Sequence, residues 1–326
     1  MPHTAPQVAQ PPRMATMGVQ RHAAPATAAQ ARARFFNSAN AFNIRLSPVP
    51  AHGFAEEARA ALRADAPTGF VACDQSIALG CDGPATTPLM LARYARIAAG
   101  EALNSRFVAS GAICYVIAGD GRSECRSPAG DETVDWAAGD VMFFPGGAEV
   151  THMAGAADAV LWLVTDEPLL AFDGLQSATK ADGSADGGVV HCPAAEIARQ
   201  LDLIYAAVPE PTTSGRALIF SSEALEESHN IHPFLTLSFN TLAPGESQAA
   251  HRHNSAAITL AVDGDICHSS VDGRAMPWQP WTTMVTPPGA AHSHHNAGGR
   301  RALFLIVQDG GLYYRARTMG FQHLET

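Results

Sequence analysis

Basic side chains are scarce. The chain carries 21 Lys and Arg against 31 Asp and Glu, a formal charge of −10 with a pI near 5.7. Phosphate binding relies on clustered Lys and Arg, so a nucleic-acid partner is excluded. Long apolar runs are missing as well: none reaches the roughly 18–20 residues of a membrane-spanning helix, and no membrane partner is expected. The first residues lack the charged-then-apolar layout of a secretory signal, and their many prolines oppose the amphipathic helix of a transit peptide, so the expected location is the cytoplasm. Six cysteines (Cys73, Cys81, Cys114, Cys125, Cys192, Cys267) form no Cys-x-x-Cys pair. That scatter suits reduced thiols acting as small buried hydrophobes rather than a disulfide framework.

What is present is apolar substance: 47% of 326 residues, enough for two packed units plus extensions. Residues 1–45 are rich in Ala, Pro, Gln and Arg and read as a disordered or extended arm, because they cannot bury enough surface to fold alone. A first unit is expected over 46–176, a linker and connecting helix over 177–210, and a second unit over 211–326. Ala55–Asp65 reads as a helix, with Glu early and Arg late as the helix dipole prefers. Ala194–Ala206 reads as another, with Ile197, Leu201 and Ile204 at helical spacing after Pro193. From about residue 69 the text turns to short apolar or β-branched runs broken by Gly, Pro and Asp, the pattern of an all-β barrel or sandwich. The runs repeat. Gly100 and Gly119 recur as Gly245 and Gly264 at an offset of 145, and the segment from Phe143 recurs from Val285 at an offset of 142. Two copies of one β unit follow.

His251 and His253 lie two apart in an expected strand, so both imidazoles share a face while Arg252 points the other way. His292 follows Pro287-Pro288-Gly289 in a tight turn, and Asn296 comes four residues later. These segments resemble the cupin family. Gly245, His251, His253 and Gly264 match its first motif and Pro287, Gly289, His292 and Asn296 its second. Ala257 stands where many cupins place a Glu ligand, and Trp281 where the second motif opens with Gly. The resemblance implies two double-stranded β-helix barrels and a divalent metal on His251, His253 and His292. Three neutral imidazoles leave the charge of the ion uncompensated and about three coordination positions open, enough for a bidentate acid and dioxygen.

His251-Arg252-His253 and His292-Ser293-His294-His295-Asn296 are similar to the gentisate and salicylate 1,2-dioxygenases, which use Fe(II) to cleave a ring beside a carboxyl group. The resemblance implies an extradiol-type dioxygenase acting with O2 on a hydroxylated or aminated aromatic acid, as a dimer or tetramer, with Mn or Zn as substitute metals. It makes His294 a substrate-contacting residue, and strand alternation independently puts His294 on the face of His292. It also places Asn240 at a pocket position, Asp309 at the end of the following strand, and Arg216 upstream as a partner for a substrate carboxylate. Asp309 can equally cap a turn, and Arg216 can equally pair with a nearby Glu. Thr259 replaces the family's pocket Arg, which removes one carboxylate anchor. The first unit has Arg106, Val108 and Val150 at the ligand positions, so it is expected to hold no iron, and His152 reads as a satisfied core histidine. His229, His232, His268 and His295 lack ligand spacing, with His232 read as part of a surface turn. The rival readings are a β-diketone or thiol dioxygenase, a Zn or Mn isomerase or hydrolase, and a non-catalytic small-ligand binder.

Overall fold

The computed structural model describes residues 12–41, 44–127, 130–172, 174–175, 188–208, 213 and 215–324. The chain divides into two units, Met1–Ser47 and Pro48–Thr326. In the first, Gln20–Arg21 pairs antiparallel with Arg34–Phe35 across a short helix, Ala28–Arg32, and the Thr27 side chain caps that helix by accepting from the Gln30 N–H. No described residue of this unit is buried.

The second unit holds two barrels, each made of a large and a small antiparallel sheet. In the first barrel the large sheet runs, in spatial order, Val190–Cys192, Val141–Pro145, Gly111–Ala118, Ala159–Thr165, Leu91–Ile97 and Gly69–Ala72. Its small sheet runs Ala102–Ser105, Glu149–Ala154, Asp120–Ser127 and Gly130–Ala137. In the second barrel the large sheet runs Arg216–Ile219, Thr236–Leu242, Ala302–Gln308, Ala257–Asp263, Thr283–Thr286 and Gly53–Phe54. Arg274–Pro277, Cys267–Val271, His292–Asn296, His251–His253 and Phe321–His323 form its small sheet. Corresponding strands keep the same neighbours in both barrels, which is the sequence repeat expressed as topology.

Strand period explains why the large sheets read as nearly unbroken apolar runs. In Ala159–Thr165 every residue is buried: Val160, Trp162 and Val164 enter a core shared by both barrels, while Ala159, Leu161 and Leu163 enter the interior of their own. Ala257–Asp263 does the same, with Ile258 and Leu260 in the shared core and Ala257 in the second barrel's interior. A sheet covered on both faces has no solvent side to mark with polar residues. Each such buried aliphatic side chain contributes roughly 1.5–3 kcal/mol.

Two segments cross the expected boundaries. Gly53–Phe54 leaves the span assigned to the first unit and pairs with Thr283–Met284 of the second barrel. Val190–Cys192, expected in the linker, pairs with Val141–Phe143 and closes an edge of the first barrel. Of the expected 177–210 linker, residues 177–187 and 209–210 lie outside the described residues. The helices form over Ala55–Leu62 and Ala194–Ala206, with Ala58, Ala61, Ile197 and Leu201 buried in the shared core. No helix among the described residues is long and apolar enough to cross a membrane.

Trp281 holds φ at +62°, a left-handed conformation that suits the glycine it replaces. Its carbonyl accepts from the Tyr94 hydroxyl at 2.5 Å, and its N–H donates to Ala261 O. Tyr94 belongs to a polar clasp inside the shared core. The Thr283 N–H donates to the Tyr94 hydroxyl, and the Thr283 hydroxyl lies 2.8 Å from the same oxygen while accepting from Trp162 Nε1 at 2.9 Å.

Thr283→Val keeps the shape of the strand but removes the acceptor of the buried Trp162 N–H. The expected cost is about 1–3 kcal/mol, the penalty for orphaning a buried donor. It is read as a lower urea midpoint at unchanged slope, and a midpoint equal to the parent's contradicts the clasp.

Candidate metal centre

In the strand His251–His253 both histidines are buried and Arg252 is exposed, as alternation requires. The neighbouring strand, His292–Asn296, sets His292 directly opposite His251. Ring centroids lie 4.2 Å apart for His251 and His292, 4.7 Å for His253 and His292, and 5.8 Å for His251 and His253. One nitrogen of each ring falls within 4.8 Å of the others. Among the described residues no other three His, Cys, Asp or Glu side chains converge this way.

The turn before His292 is built for its position. Gly289 holds φ at +75°, and its N–H donates to His253 O at 2.7 Å, tying the turn to the strand of the other two histidines. Asn296 closes the far end. Its buried Nδ2 donates to the carbonyls of Leu242, Ala243 and Arg300, and its Oδ1 accepts from Gly298 N–H.

The tautomers follow from three hydrogen bonds. Nδ1 of His251 lies 2.9 Å from Ala249 O, that of His253 2.8 Å from Ser255 O, and that of His292 2.9 Å from Ala290 O. A carbonyl only accepts, so each Nδ1 carries the proton and each Nε2 keeps an unprotonated lone pair, that of His253 with the Gln308 amide nitrogen 3.5 Å away. Burial pushes all three toward the neutral form: His253 down to about 4, His292 down to about 3, and His251 below its ordinary value. The donor set therefore fits a borderline divalent ion such as Fe(II), Mn(II) or Zn(II).

The histidines line a cavity of about 290 Å³, room for a single substituted ring. Asn240 and His294 are among the residues that line it; Asn240 Nδ2 donates to Ser238 Oγ, and His294 is buried with Nδ1 2.9 Å from Ser269 Oγ. Three expected residues sit elsewhere. Arg216 pairs with Glu246, and it is Ala217 and Ile219 on the same strand that line the cavity, since neighbours on a strand face opposite ways. Asp309 accepts from the Ala256 N–H at 2.9 Å and so anchors the loop after His253, with burial raising its carboxyl to about 7. Thr259 shares a strand face with Ala257 but is not part of the lining, and its buried hydroxyl has no hydrogen-bond partner among the described residues.

His232 is not on a surface turn. It is fully buried, its Nδ1 accepting from the Phe234 and Leu235 N–H groups and its Nε2 3.6 Å from Asp166. The lining that sequence reading missed includes His229, Gln248, Gln308, Tyr314, Met319 and Phe321. Phe321 stacks on His251 with centroids 5.1 Å apart. Among the described residues that line it, none is Lys, Arg, Asp or Glu. In the first barrel, Val150 and His152 line a cavity of about 20 Å³, room for one water. His152 is satisfied by Ser123 and, at 3.4 Å, by Ser105, and burial lowers it to about 4.

Residues 238–308 match the cupin domain family. The chain is 33% identical over 78 residues to gentisate 1,2-dioxygenase of Ralstonia sp, covering 24% of this chain and 22% of that one. It is 31% identical over 90 residues to gentisate 1,2 dioxygenase 1 of Aquipseudomonas alcaligenes, covering 28% and 26%. These matches thus span about a quarter of each curated relative. The structure of salicylate 1,2-dioxygenase from Pseudaminobacter salicylatoxidans superposes with a TM-score of 0.71 at 13% identity, covering 89% of this chain and 92% of that one. The shared fold is that of the two-barrel cupins. The extradiol label does not carry over, because the relatives are named for 1,2-dioxygenation rather than for cleavage beside a pair of hydroxyls.

Two pH responses follow. Three exposed imidazoles would lose metal affinity by up to roughly 1000-fold per pH unit below their ordinary value near 6.5. Here, with all three held toward the neutral form, competition with a chromophoric chelator is expected to give a fall in affinity well short of roughly 1000-fold per unit between about pH 6.5 and 5.5, and a fall of that full steepness contradicts the buried neutral site. Asp309 acts in the opposite sense. Its folded value near 7 exceeds the ordinary 3.8, so the native state holds a proton that the unfolded chain has lost, and stability declines as pH rises between about 4 and 7. Asp309→Asn is expected to remove that component from urea melts taken across the window, and equal pH slopes for parent and variant would contradict it.

Proposed function

We propose, for a chain with the two-barrel cupin fold, that it is a non-haem Fe(II) dioxygenase cleaving the ring of a hydroxylated or aminated aromatic carboxylic acid with O2. The observation that carries the reading is the set of three unprotonated Nε2 atoms, each fixed by a backbone carbonyl at Nδ1, beside a cavity of ring size with no Lys, Arg, Asp or Glu among its described lining residues. The sequence similarity to gentisate 1,2-dioxygenases supports the reaction class.

Bound on His251, His253 and His292, Fe(II) supplies a redox centre and Lewis acid for joining a chelating acid to dioxygen, and Mn(II) or Zn(II) fit the same donors. Neutral ligands leave the site positive, which selects an anionic partner. Ala257 lines the cavity and adds no fourth ligand. With no guanidinium or ammonium among the described lining residues, none of them offers the carboxylate a cation of the kind expected from Arg216. The buried amide oxygens of Asn230 and Gln248 meet no donor among the described residues, and both residues line the cavity. They suit ring substituents with N–H or O–H groups. Ile306, Met319 and Phe321 supply apolar wall against the ring and keep water out. His294 places its imidazole at the same cavity, ready to hydrogen-bond a substrate oxygen. The reading also takes the enzyme as a cytoplasmic homo-oligomer, with the first barrel, closed at its edge by Val190–Cys192, as a buttress and the second, which takes in Gly53–Phe54, as the working one.

Anaerobic loading with Fe(II), then oxygen-electrode assays with gentisate, salicylate and aminohydroxybenzoates, tests the proposal. Uptake is expected with at least one acid, abolished by chelator and restored by Fe(II). His292→Ala is expected to lower it by more than about 100-fold, and Arg252→Ala, altering an exposed side chain, by no more than about twofold. No uptake with any acid by metal-replete protein rules out the aromatic reading, and oxygen-independent turnover with Zn(II) or Mn(II) replaces it with a Lewis-acid isomerase or hydrolase.

A further inference from the structure

Each barrel holds a Trp–Ser–His chain whose serine and histidine are buried. In the second, Trp278 Nε1 donates to Ser269 Oγ at 2.9 Å, and Ser269 Oγ lies 2.9 Å from His294 Nδ1. In the first, Trp136 Nε1 donates to Ser123 Oγ at 2.8 Å, and Ser123 Oγ lies 2.7 Å from His152 Nδ1. Serine and histidine are direct cross-strand partners in both sheets. The three pairs recur at offsets of 142, 146 and 142 residues.

Proton counting fixes the direction of the chain. Indole N–H only donates, so it occupies a lone pair of the serine oxygen. If His294 Nδ1–H also donated to that oxygen, the Ser269 hydroxyl proton would be left without an acceptor at a site 2% exposed, an arrangement native structures avoid. The hydroxyl therefore donates to Nδ1, and the histidine proton resides on Nε2. This is the reverse of the tautomer on the three converging histidines, whose Nδ1 atoms carry the proton. In the first barrel the Nε2 of His152 meets Ser105 Oγ at 3.4 Å in a water-sized cavity. His294 instead lines the 290 Å³ cavity.

We propose that Ser269 and Trp278 are positioning residues that lock His294 as an Nε2–H donor, so that the ligand atom facing it is an acceptor, a carboxylate or phenolate oxygen, and never a protonated amine. The inference concerns the site assigned above and rests on that reading only where ligand binding is concerned. The first barrel keeps the same device pointed at its own serine and is an internal control.

The test has two arms. The first needs neither metal nor substrate: ¹⁵N NMR of histidine-labelled metal-free protein, with the His294 signals identified by their loss in His294→Asn. The expected pattern is a protonated Nε2 and a bare Nδ1, changed to a mixture by Ser269→Ala and restored by Ser269→Thr, which keeps the hydroxyl. Trp278→Phe is expected to loosen the lock more weakly, since the hydroxyl still reaches Nδ1. The second arm titrates salicylate anaerobically into metal-loaded protein. Ser269→Ala is expected to weaken binding roughly tenfold, the scale of one misdirected hydrogen bond, Ser269→Thr to recover it, and Ser123→Ala to leave it unchanged. A protonated Nδ1 in the parent protein, or an unchanged tautomer in Ser269→Ala, overturns the lock. Equal weakening by Ser123→Ala and Ser269→Ala reduces the triplet to a structural device. Failure of the parent protein to bind salicylate counts against the aromatic-acid function alone, because the first arm still decides the tautomer.

Discussion

The side chains of His251, His253 and His292 each rest Nδ1 on a main-chain carbonyl two residues away, and those carbonyls belong to the loops and turn that bound the two strands. Because a carbonyl cannot donate, the backbone decides which nitrogen is free, with the Ser255 hydroxyl also 2.9 Å from His253 Nδ1 while it donates to Gln308 Oε1. Much of the surrounding structure serves to keep those carbonyls in place. Gly289 bends the turn and hydrogen-bonds it to His253, Asp309 holds the Ala256 N–H, and Asn296 staples the end of the third histidine's strand. Loss of any of these moves a carbonyl before it moves a metal donor, so the site's chemistry depends on residues that never touch it.

The two barrels are a duplication in which one interior closed and the other stayed open. Both large sheets are buried on two faces, and the shared core with its Tyr94–Thr283–Trp162 clasp joins them. The first barrel's interior is filled by side chains such as Phe144 and Val150 down to a water-sized void. The second keeps Ala257 where a larger side chain would intrude, and its opening is lined from strands, from the 228–230 segment and from Met319 and Phe321 near the chain's end.

How much of this was legible depended on sequence distance. Alternation across His251–His253 and the Pro-x-Gly-x-x-His turn are local rules, and they brought three histidines to one point. The repeat was legible because strands of one topology need turns at matching places. For Arg216 the sequence left two partners open, a substrate carboxylate or a Glu, because Glu246 lies thirty residues away and no local pattern tells which face of an edge strand meets the cavity. His232, beside a proline, carried the signature of a turn, yet the inter-barrel core buries it against Asp166. Phe321 and Met319 reach the site by pairing of Phe321–His323 with the histidine strand, a contact no motif announces. The Trp–Ser–His triplets did leave a trace, since both recur at nearly the repeat offset.

The central claim is that three neutral imidazoles from two adjacent strands hold one divalent ion. Iron K-edge X-ray absorption of the anaerobic Fe(II)-loaded protein tests it most directly. The account requires imidazole multiple scattering from three histidines around a single Fe(II), falling to two in His253→Ala with added water or buffer oxygen. A spectrum dominated by oxygen or sulfur ligands, or one unchanged by that substitution, contradicts it.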